Sequence, residues 1–258
     1  MLRSMPLLPR LQLFEFLDQP WLPELLRRGE ADYLRVVLDR VRPYDSVALL
    51  LAELLRTTGT DRVVDLCSGT GGPWRTLFPA LRAVHGQAEV VLTDLHPTPV
   101  QELPAGAHYR DTPVDATRIP EELSGVRTLF EGLHHFPPER ARALLADAAA
   151  RRVPFAAFEL TRRTLMSILF QLLLIVPLVW IFTPLIRPVR WWRLVLTYLV
   201  PILPLLILWD GVVSSLRTYA PEDLERLTAG LGGDGYRWKS GVLRAQGMAI
   251  TYLIGLPV

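Results

Sequence analysis

The residues with the most chemistry in this 258-residue chain open with one string, VVDLCSGTGGPW, at positions 63–74. Gly69 and Gly71 remove Cβ atoms where a backbone must turn tightly and let a ligand come close. Asp65 precedes them, and Asp94 ends a second apolar run, EVVLTDL, about 25 residues after the glycines. A carboxylate so placed can accept from both hydroxyls of a ribose, although an Asp that only closes a strand is the plainer alternative. A third acidic residue sits in PVDATRIP, as the pair Asp115–Ala116, and LFEGLHHFPPER supplies Glu131, His134 and His135. Unperturbed imidazole titrates at about 6.5, so either histidine can take a proton near neutral pH. Adjacent histidines ahead of Phe-Pro-Pro are equally suited to capping or packing a helix.

Two phosphate-binding readings of the loop fail. Setting G-x-G-x-x-G on Gly69 and Gly71 puts Trp74 where a small residue must permit close helix–strand packing, which argues against a dinucleotide site. No Gly-Lys-Ser/Thr follows, which argues against a P-loop.

The string resembles the first motif of the class I S-adenosylmethionine-dependent methyltransferases, an apolar strand followed by D/E-x-G-x-G-x-G. Asp65, Gly69 and Gly71 match its acidic residue and last two glycines, while Cys67 replaces the first glycine. The resemblance covers roughly residues 60–160 and 218–258. It implies an α/β Rossmann-like methyltransferase sheet of seven strands, the last antiparallel, and S-adenosylmethionine as cofactor. It further implies that Asp65, Cys67, Gly69, Thr70 and Gly71 face the amino acid part, with Asp65 orienting its ammonium. Asp94 and Leu95 would face the ribose, Asp115 and Ala116 the adenine, and Glu131 the cofactor from a strand end. The Leu-His-His string is similar to the strand-four region of small-molecule and quinone methyltransferases. Methyl transfer from a sulfonium is an in-line displacement in which the protein orders the reactants and keeps water out. A base is needed only if the acceptor must lose a proton, and His134, His135 and Glu131 are the candidates. A sensor that binds the cofactor without turnover is the alternative reading.

The elements that must position these residues follow from periodicity. Residues from about Leu11 to Thr58 read as helical, with a break at Pro43, a candidate cap at Ser46 and a stop at Gly59. Short β-rich runs at 62–66, 89–95 and 154–160, with weaker ones at 107–111 and 126–130, alternate with helical stretches and predict a parallel sheet. YRWKSGVLRAQ and MAITYLIGL read as a closing antiparallel pair joined at Gln246–Gly247. Pro221, followed by Glu222 and Asp223, starts a new helix.

Composition narrows the class. Hydrophobic residues make up 50% and charged residues 21%, with mean hydropathy +0.24, which excludes a disordered chain. A net charge of +2 and the lack of an N/D-P-P-Y/F string argue against nucleic acid as partner. Cys67 is the only cysteine, so no intrachain disulfide forms, and the histidines show no zinc spacing; no metal is expected. Arg3, Pro6, Pro9 and Arg10 make the N-terminus a poor signal peptide, so the chain is expected at the cytoplasmic face of the cell membrane.

The membrane expectation comes from two apolar runs, Thr164–Ile186 and Leu194–Trp209, joined by RPVRWWR. A helix over the first would reach ~34 Å, against a hydrocarbon core of ~30 Å, and Pro201 and Pro204 weaken the second as a straight helix. Three arginines on the far side would oppose the positive-inside tendency, so a hairpin dipping into one leaflet is preferred over a two-pass hairpin. The division expected is an N-terminal helical cap over 1–60, a cofactor-binding core over 61–160 and 218–258, and an inserted hydrophobic hairpin over 161–217. Glu15, Asp18 and Trp21 could contribute to a lid, or Trp21 could staple the cap. Asp210, Ser214, Arg217 and Tyr219 could line a pocket for a lipophilic acceptor (quinone, lipid or isoprenoid-like), or Asp210 could end a helix and Arg217 anchor headgroups.

Overall fold

The computed structural model describes residues 8–97 and 103–258. Arg3 and Pro6, used above in judging the N-terminus, lie outside them. The chain divides into two compact units, residues 1–41 with 161–219 and residues 42–160 with 220–258. The expected boundaries were a cap over 1–60, a core over 61–160 and 218–258, and an insertion over 161–217. Residues 42–47 and the helix α2 (Ala48–Thr58) belong with the sheet, and the chain up to Val41 groups with the apolar helices.

The larger unit is built on seven strands: β1 (Arg62–Leu66), β2 (Glu89–Leu92), β3 (Ala107–Tyr109), β4 (Val126–Phe130), β5 (Phe155–Glu159), β6 (Tyr236–Ala245) and β7 (Met248–Pro257). Their order is β3-β2-β1-β4-β5-β7-β6. The first five pair in parallel, and β7 runs antiparallel between β5 and β6. Every residue of β4 and β5 is buried, as strands covered on both faces must be. Gln246 and Gly247 both have positive φ, +52° and +76°, as the tight turn between β6 and β7 requires. Strand order reverses beside β1, so the carboxyl ends of β1, β2 and β4 border a crevice of the kind that binds ligands in open α/β sheets. The helices are α2, α3 (Trp74–Val84), α4 (Pro138–Ala150) and α8 (Pro221–Thr228). α2 starts from a 3-10 turn over Asp45–Val47 that contains Ser46, with no side-chain cap, and ends at Gly59 with φ +66°.

In the other unit, α1 (Glu24–Val41) packs with α5 (Leu165–Phe182) and α7 (Ile202–Arg217) around Leu22, Tyr33, Val36, Val179, Ile186, Leu206 and Ile207. Residues 11–23 are not helical, contrary to expectation. Their backbone donors find partners on α7 instead of four residues back: Leu11 N–H on the Leu216 carbonyl at 3.1 Å, and Phe16 and Leu17 N–H on the Asp210 carboxylate at 2.7 and 2.9 Å. Thr164 caps α5, accepting from Ser167 N–H at 3.2 Å. The span Leu165–Leu185 is long and apolar enough to cross a membrane, and only 6% of its most apolar stretch is buried. The second apolar run breaks at Val200–Pro201, where a short helix α6 (Trp191–Leu194) and its π-helical continuation (Val195–Leu199) bend 74° from α7.

Candidate functional site

The loop after β1 is a chain of left-handed residues. Cys67, Gly69, Gly71 and Gly72 have φ of +55°, +51°, +102° and +48°. The position a Cβ would take at Gly69 is open space, so that side of the loop can receive a ligand. Cys67 takes the left-handed turn that usually demands glycine, so its small side chain replaces the first glycine without straightening the loop. Desolvation pushes its thiol well above the ordinary range, so little of it is thiolate near neutral pH.

Asp65 braces this loop from within. Its carboxylate accepts from Ser68 Oγ at 2.6 Å and from Thr128 Oγ1 at 2.7 Å, and Asp65 is fully buried. Burial raises it to about 7 although both hydroxyls favour the charged form. These contacts hold β1, the loop and β4 together.

The three acidic motifs meet around Asp94. Its Oδ2 accepts the Gly69 N–H and its Oδ1 the His96 N–H, each at 2.8 Å. Its carbonyl accepts the Val114 N–H at 2.8 Å, which brings Asp115 and Ala116 beside it. Asp115 Oδ1 takes the N–H and hydroxyl of Thr117 at 2.8 and 2.7 Å, which lowers its carboxyl below the usual range. Tyr109 donates to the Gly69 carbonyl at 2.9 Å, closing the loop from β3. Thr70 and Leu95 are exposed on the loops nearby.

The histidine string lies past β4, where Glu131 has φ +49°. His134 is buried, with Nδ1 2.6 Å from Glu159 Oε2. Glu159 Oε1 also accepts the N–H groups of Leu133 at 2.8 Å and His134 at 3.3 Å. Burial raises Glu159 to about 7, opposed by His135 and those N–H groups. Glu131 accepts from Tyr44 and from the Leu160 N–H, and its carboxyl is raised first by burial and then by Glu159. Donor atoms of Glu131, His134 and Glu159 lie within 4.8 Å of one another, close enough in principle to share a cation, and all three already hold protein hydrogen bonds. The His135 ring lies 4.3 Å from that of His134.

No protein-family model and no curated protein matches the sequence. Solved structures do match. Human N-acetylserotonin methyltransferase, solved with SAM, aligns over 94% of this chain and 62% of its own, with 13% identity and a TM-score of 0.50. The fold is that of the class I S-adenosylmethionine-dependent methyltransferases. A plantazolicin methyltransferase aligns over 91% of this chain and 98% of its own, at 10% identity and TM-score 0.49. Magnesium protoporphyrin IX methyltransferase from Synechocystis PCC 6803 aligns over 94% and 88%, at 10% identity and TM-score 0.43.

Within this methyltransferase fold, the sequence reading missed Glu159 and Tyr44. Glu159 ends β5 and meets His134 across 25 residues, a contact that no local pattern encodes. The residues expected to line an acceptor pocket make contacts within their own unit. Asp210 holds Phe16 and Leu17 as described, while Arg217 pairs with Asp18 at 2.6 Å and Glu15 at 3.1 Å and donates to the Leu13 carbonyl at 2.6 Å. Ser214 donates to Glu15 at 3.0 Å. Tyr219 is buried beneath the Arg10 guanidinium, 4.1 Å from its ring centroid. These side chains fasten the N-terminal segment to α7. Trp21 is largely exposed, edge-on to Phe16 at 6.0 Å.

Proposed function

We propose that this chain transfers the methyl group of S-adenosylmethionine to a small lipophilic acceptor, a quinone, lipid or isoprenoid-like molecule, at the cytoplasmic face of a membrane. The observation that carries the reading is the meeting of three motifs at Asp94: Gly69 N–H on its carboxylate, Val114 N–H on its carbonyl, and open space over Gly69. When bound, S-adenosylmethionine supplies a methyl group already activated by the positive sulfonium. The chain's own residues then bind and orient. Among the described residues Asp94 accepts from Gly69 and His96 N–H, and a carboxylate has about four acceptor positions, so it can still take ribose hydroxyls. Asp115 has its Oδ2 for an exocyclic amine, and Ala116 leaves room for the ring. His134, with Nδ1 2.6 Å from Glu159 Oε2, and the neighbouring His135 are the imidazoles that would take the acceptor's proton.

The exposed, uncharged span Leu165–Leu185 supports a membrane location and an acceptor drawn from lipid. Incubating the purified chain with methyl-labelled S-adenosylmethionine and a membrane lipid extract tests the reading. Label moving into the lipid fraction is the expected result. A chain that fractionates as wholly soluble with no lipid requirement removes the lipophilic acceptor. Tight cofactor binding without turnover on a broad acceptor panel replaces the enzyme by a sensor.

A further inference from the structure

One end of the apolar hairpin is sheathed by a charged helix. Along α5, Met166, Leu169, Phe170, Leu173, Trp180 and Ile181 form an exposed stripe. At the far end the chain turns through exposed Arg187 and Arg190 to Trp191, which is 77% exposed. Arg193, three residues on from Arg190, is buried: it pairs with Asp32 and donates to the Pro188 carbonyl at 3.3 Å. Asp32 lies midway along α1, whose neighbouring Tyr33 and Val36 pack on Val179, Ile186, Leu206 and Ile207. Gly29 abuts Leu203 so closely that a Cβ there would stand 2.6 Å from its Cδ2. Eight of the 18 residues of α1 are charged. Were the hairpin to cross a bilayer, α1 would follow its last turns inward and carry exposed Arg28 and Arg40 into hydrocarbon, where charges are costly.

We infer that this unit binds an anionic lipid surface from one side only. The α5 stripe and Trp191 enter the near leaflet, Arg187 and Arg190 meet lipid phosphates, and α1 with the Asp32–Arg193 pair stops the hairpin from crossing. Tryptophan and arginine side by side suit the headgroup layer, and guanidinium near an anionic surface gains attraction that a neutral surface lacks. The inference takes the presence of a membrane from the proposed function and adds the α1 barrier that keeps the hairpin in one leaflet, and the lipid charge.

Two measurements on the full-length chain test it. The first is topology: the Val189→Cys variant is exposed to a membrane-impermeant maleimide in membrane vesicles from expressing cells, with wild type, whose single cysteine Cys67 sets the background. Labelling in inverted vesicles and protection in right-side-out ones is expected. The reverse overturns the one-sided topology and leaves membrane association standing. The second is flotation with phosphatidylcholine vesicles and with an equal mixture of phosphatidylcholine and phosphatidylglycerol. Arg187→Gln/Arg190→Gln should lower binding to the anionic vesicles by about tenfold or more, and the double Lys variant should retain it. Unchanged binding of the Gln variant overturns the lipid-charge assignment. Wild-type chain that stays out of both membranes and vesicles, or that covers α5 with a second copy in solution, overturns this inference together with the membrane reading.

Discussion

The Gly69 backbone N–H and the Asp94 carboxylate are joined at 2.8 Å, tying the loop after β1 to the end of β2. Asp94 thereby does two things with one side chain. It fixes a left-handed loop that has no side chain of its own at that point, and it keeps acceptor capacity at the crevice. Asp65 holds the same loop through Ser68 and ties it to β4 through Thr128.

Asp65 sets a pH dependence. Burial lifts it from 3.8 to about 7, so the fold favours the protonated form. Its contribution is fully present below pH 3.8 and is lost as pH rises through about 7. Asp65→Asn keeps the shape and both hydroxyl contacts without a buried charge. At pH 8 the variant should gain about 2–4 kcal/mol over wild type, with the difference vanishing toward pH 4. Urea titrations of both chains across that range check it; a difference independent of pH rejects the assignment.

Cys67 should tolerate glycine and reject a β-branched residue. At φ +55° the left-handed turn is strained for any side chain, and most for one branched at Cβ. Cys67→Gly is expected within about 1 kcal/mol of wild type, Cys67→Val at about 2 kcal/mol or more below it. Thermal melts give both values. The half-buried wild-type thiol, held protonated by its surroundings, should react with iodoacetamide at pH 8 more slowly than a free cysteine, and labelling at the free-cysteine rate would contradict the raised thiol.

With His134 as the base of the proposed reaction, Glu159 would be its positioning residue. Glu159→Gln removes the negative acceptor at 2.6 Å from Nδ1 and is expected to lower kcat about tenfold or more, with cofactor affinity unchanged. The acid limb of the pH–rate profile should move to lower pH, because the imidazolium loses a partner charge. A variant that folds normally with wild-type kcat and profile would confine Glu159 to packing.

The sheet was legible in the sequence because its signals are local. The run 62–66 and its glycines lie within a dozen residues, and β1 falls on the expected positions. Asp94 and Asp115 were legible for a similar reason, each closing or following a short apolar run. What escaped is held by contacts distant in sequence. The segment 11–23 has helical spacing, yet the Asp210 carboxylate takes its N–H groups across 194 and 193 positions. The grouping of α1 with the apolar helices rests on Asp32 and Arg193, 161 positions apart, and on an apolar face whose target periodicity does not name. The bend before α7 was half legible: Pro201 predicts a break, while the π-helical turn preceding it leaves no mark in residue spacing.

Calorimetric titration of wild-type chain and Asp94→Ala with S-adenosylhomocysteine, the stable product of methyl transfer, tests the seat most directly. Expected is one site per wild-type chain and a loss of about tenfold or more in the variant, the usual weight of hydrogen bonds to a charged acceptor. A wild-type chain that releases no heat, or a variant that binds as tightly as wild type, would contradict it.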